Sequence, residues 1–508
     1  MTLPRTWAVA LTGLVGDLVE VEADVSSQTP EFQVIGLADR AIGEARQRVR
    51  GACANSDLPL PRRRLTVSLT PADLPKHGSA LDLAIALASL ATELPLDRAS
   101  LFETVHIGEL GLDGRLRPVA GVLPAVMAAA RAGFRRVIVP YANGSEAALV
   151  GGIEVLAAVG LREVAARHGL ALDDVRQEPV APPTPSAPPA PSQLDLAEIV
   201  GQREAVEALV VAAAGGHHLM MSGPPGAGKT MLARRLPGIL PELDDRAALQ
   251  VAAVRSLSGQ SVTALHREPP FEAPHHTAST AALIGGGSRT ARPGAIARAS
   301  GGVLFLDEAG EYSAQALDAL RQPLESGSIE IHRAGFRASF PARFQLVLAT
   351  NPCPCGNYGV TGSVCECAPY AIRRYAARLS GPLRDRIDIE LGLRPVSSAA
   401  PTAGPGQSSA HARERVANAR RCAAARLRDT PWRLNVDVPG SWLRAGPCAP
   451  PAEVRRPLDD ALRRGALTLR GYDRVLRVAW SCVDLDGRER LSLDDVGRAL
   501  YLKKGIAA

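Results

Sequence analysis

The stretch HHLMMSGPPGAGKTML, residues 217–232, is a short apolar run that passes directly into Gly223-x-x-x-x-Gly228-Lys229-Thr230 and then into helix-forming residues. Strand, glycine loop and helix in that order are the context a phosphate-binding loop requires. Glycines let the backbone curl until its N–H groups converge on phosphate oxygens, and the start of the following helix adds a favourable dipole. Candidate contacts run through Gly223, Pro224, Pro225, Gly226, Ala227, Gly228, Lys229 and Thr230. Lys229 would set a compact ammonium against the β- and γ-phosphates of ATP, and Thr230 would offer a hydroxyl to Mg2+. The lysine is informative because only Lys76, Lys229, Lys503 and Lys504 among the 58 basic residues are lysine; all others are arginine. An isolated lysine in such a chain marks a place where a planar guanidinium will not fit.

Working outward, GGVLFLDEAGEY (301–312) is a second apolar run, and it delivers Asp307 and Glu308 at its end. Asp307 would hold the metal through water, and Glu308 would orient and deprotonate the attacking water. Two acids after a strand are weak evidence alone and strong evidence after a phosphate loop. FQLVLATNP (344–352) is a third such run, ending in Asn351, whose amide would reach the γ-phosphate and the lytic water. LSGPLRDRIDI (379–389) offers Arg384 and Arg386, and LTLRGYDRVLRVA (467–479) offers Arg470. Arginine suits the charge that develops on a transferring phosphoryl group, although on spacing alone a surface role is the stronger expectation for each.

The remaining sequence sets the frame. A chain of 508 residues exceeds one compact core, so roughly two to four domains are expected. EPVAPPTPSAPPAPSQ (178–193) is an extended Pro-rich linker, and VSSAAPTAGPGQSSA (396–410) is a Ser/Gly/Pro connection. Three folded regions result: 1–175, then 194–395 after a linker at 176–193, and 411–508 after the break at 396–410. The first mixes alternating runs (LVEVEADV, RRLTVSLT) with helical ones (ALDLAIALASLA, VLPAVMAAARAG) and is expected to be α+β. The second alternates strands and helices as a parallel α/β sheet does, and the third is all-α. Its first segment, HARERVANARRCAAARLR, carries six Arg against one Glu, either a basic binding helix or, as the plainer expectation, a solvated face.

The net charge of +6 permits nucleic-acid binding without requiring it. No apolar run is long enough to cross a bilayer, so no membrane partner is expected. The opening MTLPRTWAVALTGLVG fits a secretory signal poorly, and a cytoplasmic location is the expectation.

GPPGAGKT, VLFLDEAGE, ATNPCPCG, LSGPLRDRIDI and LTLRGYDRVLRVA stand here in a fixed order. With REPPFEAPHHTASTAALIGGG (267–287), the most distinctive segment, they resemble the ComM/YifB group of magnesium-chelatase-like AAA+ ATPases over essentially the whole chain. The resemblance implies an α/β fold: an AAA+ P-loop ATPase core, an N-terminal Lon-protease-like α+β domain and a C-terminal all-α lid. It implies Asn351 as first sensor, Arg386 as an arginine finger given to a neighbour, and Arg470 as second sensor. ATP would then bind between subunits of a homo-hexamer.

SGSIEIHRAGFRASF (326–340) reads independently as a β-hairpin turning at Ala334-Gly335. In motors similar to this one such a hairpin enters the ring's pore, where His332, Arg333 and Arg337 would meet phosphates; structural packing is an equal reading. His275 and His276 receive no catalytic role, since no acid or Cys lies at ligand spacing.

PADLPKHGSALDLAIAL (71–87) and GELGLDGRLRPVAGVLPAVMAAARAG (108–133) resemble the Lon catalytic fold, also carried by the DNA-repair ATPase RadA. Alignment on that pattern puts Ala80 at the nucleophile position and Leu123 at the lysine position. Ser79 is adjacent, but Lys76 is wrongly placed to activate it. A non-proteolytic domain is expected. The resemblance therefore favours an ATP-hydrolysing motor on single-stranded or branched DNA, a branch-migration helicase acting with recombination proteins in recombination and natural transformation. A chelatase-type motor that remodels a protein for metal insertion is the alternative, and an ATP-dependent protease is disfavoured.

NPCPCGNYGVTGSVCEC (351–367) holds four of the eight cysteines. Cys353, Cys355, Cys365 and Cys367 form CxC-x9-CxC, four soft ligands on two short arms joined by a Gly-containing loop. Tetrahedral structural Zn2+ is the expectation, ahead of a redox pair or unliganded thiols. Zinc would pin the loop leaving Asn351. Cys53, Cys422, Cys448 and Cys482 are scattered, as structural thiols are.

Overall fold

The computed structural model describes residues 3–36, 39–72, 74, 76, 78–173, 177–181, 194–287, 291–333, 336–360, 363–395 and 406–504. Most of the Pro-rich linker, most of the 396–410 break and the turn at Ala334-Gly335 lie outside them.

The middle region is built on a five-stranded sheet in which every pairing is parallel. Across it lie Phe271–Glu272, Val303–Leu306, Gln345–Thr350, Leu219–Ser222 and Ile389–Gly392. The strand ending at Asn351 thus separates the phosphate-loop strand from the one that carries Asp307. Register places Ser222 beside Thr350 and Leu306 beside Leu348, so all three strands run out at one edge.

The continuous apolar runs follow from burial on both faces. Val303, Phe305, Val347 and Ala349 enter one core with helix Arg203–Gly215 and the C-terminal helices. Their neighbours Leu304, Leu306, Leu346 and Leu348 enter another, with the hairpin Ser328–Arg333 and Phe336–Pro341. In the hairpin, Ile329 pairs Phe340 and Ile331 pairs Ala338, and all four are buried there.

The hairpin carries an acid among its basic residues. Glu330 accepts from Arg337 Nη2 at 2.6 Å and lies 3.3 Å from His332 Nε2, so an adjacent carboxylate offsets their charge. The side chain of Arg333 lies outside the described residues.

The C-terminal helices do not hang from a free connection. Helix Ser409–Arg426 starts inside the expected break, capped by Ser408, whose hydroxyl accepts from His411 N–H. Ser409 N–H donates to Asp195 Oδ1 at 2.9 Å, and Leu196 N–H to Ser409 Oγ at 2.8 Å, tying the two linker ends together. Four of the helix's five arginines are tied to the rest of the fold. Arg413 donates to Gly238 O, Arg415 to Glu207, Arg420 to Ala213 O and Arg426 to Asp484. Among the described residues this helix presents no free basic stripe.

The N-terminal region is a seven-stranded mixed sheet flanked by helices, including Asp82–Leu90 and Val122–Arg131. Its Val122–Arg131 helix packs on the ATPase helix Asp245–Leu257, and Leu123, Val126, Ala252 and Ala253 share one core. Leu123 N–H donates to Ser256 Oγ at 3.3 Å, and Gly13 bridges to Ser339 of the hairpin. The first two regions therefore form one continuous packed body.

Asp388 is the buried electrostatic junction between sheet and helices. It is fully enclosed, accepting from Arg474 Nη1 at 2.6 Å and from the backbone N–H of His218 at 2.9 Å. Burial pushes its carboxyl up, but Arg474 with His217 and His218 outweighs this and holds it well below the ordinary carboxylate range. Removing one member of such a pair leaves the other charge buried without a partner. Asp388→Ala is therefore expected to cost on the order of 3–5 kcal/mol, read as a large drop in the thermal unfolding midpoint.

Candidate nucleotide site and cysteine cluster

The phosphate loop leaves strand Leu219–Ser222 and enters helix Lys229–Ile239. Gly226 and Gly228 have φ of +78° and +88°, and a Cβ at either would meet nothing within 4 Å, so the loop's concave side is open. Lys229 is 9% exposed. Its ammonium donates to Gly223 O at 2.5 Å, Pro224 O at 2.9 Å and Asn351 Oδ1 at 2.9 Å. Burial lowers its pKa, opposed by the Asp307 and Glu308 carboxylates. A buried cation bonded only to neutral oxygens is the donor an anionic phosphate completes.

Thr230 Oγ1 donates to Asp307 Oδ2 at 2.8 Å, so the two residues expected to hold Mg2+ already converge. The hard oxygen donors fit that ion, which would neutralise phosphate charge in the bound complex. Glu308 follows in the left-handed region, at φ 50° and ψ 47°. Such a backbone is costly for a side-chain-bearing residue and clusters at functional sites. Lys229, Thr230, Asp307, Glu308 and Asn351 thus meet at one sheet edge.

Arg386 and Arg470 do not join them. Arg386 lies just before strand Ile389–Gly392, at the amino end of a parallel sheet whose carboxyl end carries the phosphate loop. Its guanidinium is largely buried, donating to Pro382 O at 2.5 Å and pairing with Glu325. Burial lowers its pKa, with further depression from Arg321, Arg470 and Arg474. Arg470 is exposed in the first turn of helix Leu469–Leu485, on that same arginine-rich edge. Arg384 pairs with Glu390 at 3.0 Å.

The four cysteine sulfurs lie within 4.8 Å of one another. Cys353–Cys365 and Cys355–Cys365 are each 3.7 Å apart, and Cys353–Cys355 is 3.3 Å. Zn–S bonds of about 2.3 Å in a tetrahedron require sulfurs about 3.8 Å apart, so the cluster fits a metal. The backbone N–H of Asn357 and then the Cys353 thiol draw Cys355 down to about 6. Tyr358 N–H points at Cys353 Sγ at 3.3 Å. Gly356, at φ +83°, permits this turn, and a Cβ there would sit 2.5 Å from Pro225 Cδ. The cysteine loop therefore rests on the phosphate loop itself.

Three contributors carry no motif signal. Tyr375, on the helix Pro369–Ala376 that follows the cluster, bonds Thr350 and packs on Gly310, where a Cβ would lie 2.4 Å from its Cζ. Gly356 matters only through its contact with Pro225. His276, given no role from sequence, brings Nδ1 to 3.1 Å from Glu308 Oε2.

Among the described residues of the N-terminal domain, the positions weighed for a Lon-type dyad are not brought together as a nucleophile and base. Leu123 is buried in the core between domains, Ala80 packs against the same cluster, and Ser79 Oγ donates to Glu109 Oε2. Lys76 Nζ donates to Leu74 O at 3.3 Å and to Pro71 O.

A phosphate loop, an Asp-Glu strand end and a polar residue on the strand between them, joined to a helical domain, define a P-loop ATPase of the AAA+ class. The chain matches the family described as magnesium chelatase, subunit ChlI, over residues 195–400. It also matches subunit ChlI of Mg-chelatase over 21–143 and the ChlI C-terminal family over 406–503. It is 47% identical over 506 residues to an uncharacterized protein of Mycobacterium tuberculosis, covering 99% of each chain. It is 40% identical over 510 residues to competence protein ComM of Haemophilus influenzae, covering 98% of this chain and 97% of that one. YifB of Escherichia coli is 39% identical over 493 residues, covering 96% and 94%. The N-terminal region is similar to Lon protease of Mycolicibacterium smegmatis, 29% identical over 143 residues, or 27% of this chain and 18% of that one. The chain belongs to the ComM/YifB family of magnesium-chelatase-like AAA+ ATPases.

Gly356→Val is expected to force the cysteine loop off Pro225, because branched side chains resist a left-handed backbone and no space exists for them. The measurable result is a raised KM for ATP with the fold retained by circular dichroism.

Proposed function

We propose that the chain forms a homo-hexameric ring that hydrolyses ATP to move along single-stranded or branched DNA. The reading makes it a cytoplasmic branch-migration helicase that works beside recombination proteins in recombination and natural transformation. The observation that carries the ring is the separation of Arg386 and Arg470 from the chain's own phosphate loop. A parallel sheet holds these two away from that loop, and in this reading a neighbour's arginine-rich edge completes the site. Arg386 acts as finger and Arg470 as second sensor on the adjacent subunit's nucleotide, after Arg386 leaves Glu325. The DNA assignment is supported by whole-length similarity to a protein named for competence.

Within the site, Lys229 binds the β- and γ-phosphates, Thr230 and Asp307 hold Mg2+, Glu308 takes a proton from water, and Asn351 orients that water. A second reading, a chelatase-type motor acting on a protein, is favoured by the three family matches. ATP hydrolysis measured with and without branched and single-stranded DNA, alongside strand displacement, separates the two. Stimulation by DNA is expected; unchanged hydrolysis and no DNA binding at low salt would sink the helicase reading. An equimolar mixture of Lys229→Ala and Arg386→Ala chains, each inactive alone, should regain activity. Failure to do so would reject the shared site. Casein is expected to remain intact throughout, given Ala80 and Leu123.

In this reading the cysteine cluster holds structural Zn2+, bracing the loop after Asn351 and the helix carrying Tyr375. Cys353→Ser with Cys365→Ser should lower zinc content by elemental analysis and the unfolding temperature together. Full zinc content in that double variant would refute the assignment.

A further inference from the structure

Two strand ends must keep their spacing beyond the point where their own hydrogen bonds stop. The pairing of Val303–Leu306 with Gln345–Thr350 ends at Leu306 beside Leu348. Asp307 and Glu308 leave one strand and run into the turn Ala309–Glu311, while Asn351 leaves the other. The spacing of Glu308 and Asn351 is therefore left to groups outside this pairing.

The segment after the cysteine cluster reaches both. Tyr375, in helix Pro369–Ala376, is 5% exposed. Its hydroxyl bonds the Thr350 side chain and takes a hydrogen bond from the Asn351 backbone. The same ring lies against Gly310, where a Cβ would come within 2.6 Å of Oη and 2.8 Å of Cε1. A side chain at that position would drive the ring away.

Arg378 works beside it. Its backbone N–H donates to Tyr375 O at 3.2 Å, and its guanidinium carbon lies 5.8 Å from the Tyr375 ring centroid. Nη1 donates to Gly310 O at 2.5 Å and to Glu311 Oε2 at 3.0 Å. A hydrogen bond from a charged donor is stronger than a neutral one, so the carbonyl of Gly310 is firmly held. Gly310, two residues after Glu308, is thus gripped by a ring on its Cα and a cation on its oxygen. The grip has a rigid mount. Leu379 is buried in one cluster with Leu306 and Leu348, and Ser380 Oγ donates to Asp318 Oδ1 at 3.1 Å.

We propose that Tyr375 and Arg378 are positioning residues that fix the spacing between Glu308 and Asn351. The Tyr375 hydroxyl holds the strand end at Asn351, and its ring holds the turn after Glu308 together with the Arg378 guanidinium. Base and sensor must reach the same attacking water, so a misplacement of either costs rate. Neither positioning residue belongs to the phosphate loop, so ATP binding is left intact. The proposal rests on the roles given above to Glu308 and Asn351.

The test is steady-state ATP hydrolysis by the full chain. Tyr375→Phe keeps the ring on Gly310 and removes only the hydroxyl. Its kcat is expected to fall about tenfold while KM for ATP stays within about twofold. Gly310→Ala displaces the ring with the hydroxyl intact and should show the same split, which carries the test if Tyr375→Phe misfolds by circular dichroism. Arg378→Lys, which keeps the charge, should retain more kcat than Arg378→Ala. Because the hydroxyl acts through Asn351, adding Tyr375→Phe to Asn351→Ala should change kcat by less than about twofold. A further tenfold loss in that background overturns the proposal, as does a KM that rises in step with the loss of kcat. Wild-type kcat in both Tyr375→Phe and Gly310→Ala, with Asn351→Ala and Glu308→Gln impaired, overturns the positioning role alone. Wild-type kcat in Asn351→Ala and Glu308→Gln overturns instead the roles of those two residues, and the positioning role with them.

Discussion

Three parallel strands run out of hydrogen-bonding partners at the same edge, and the chemistry of this chain is built on that edge. Because Gln345–Thr350 lies between Leu219–Ser222 and Val303–Leu306, the residue after it, Asn351, falls between Lys229 and Asp307. The hydrogen bond from Lys229 to Asn351 closes the gap between the outer two. Its partners are all uncharged, so the buried ammonium retains an unmet demand for an anion. That demand favours phosphate, because the Asp307 and Glu308 carboxylates act on Lys229 without bonding to it.

Around this edge the fold uses direct packing to hold the site's loops in place. The cysteine loop touches Pro225, and the helix after the cluster sends Tyr375 back to Thr350 and Gly310. One small cluster thus supports the phosphate loop, the Asn351 strand end and the turn after Glu308 at once. The N-terminal domain is bound to the ATPase helix Asp245–Leu257 through Leu123, the position that the sequence resemblance aligns with a Lon-type lysine. An apolar Leu123 in that core and a catalytic ammonium are mutually exclusive uses of one site, since an unpaired buried charge would cost several kcal/mol.

Much was legible in the sequence because glycine spacing, strand-like apolar runs and acids at strand ends are local. The phosphate loop, the Asp307-Glu308 pair, Asn351 and the hairpin strands were all found where their motifs lie. The basic helix was ambiguous in sequence, since six arginines look alike until Glu207, Asp484 and the carbonyls of Gly238 and Ala213 are seen to receive four of them. In the hairpin, the partner of Glu330 was likewise open until the register set it diagonal to Arg337. His276, Tyr375 and Gly356 had no periodic or spacing signal, because each meets residues more than twenty positions away.

The sequence by itself determined the class of chemistry: which atoms would face phosphate, metal and water, and which cysteines would cluster. These depend on backbone conformations that a few adjacent residues enforce. Only the tertiary structure decided the direction in which each group acts. The parallel sheet sends Lys229 and Arg386 to opposite ends, although in the sequence both stand in their motifs only as letters. The insertion folds back to set an imidazole on Glu308, and two domains merge through Leu123. Burial and distance in the packed body, rather than spacing along the chain, fix whether a charge is a ligand or a strut.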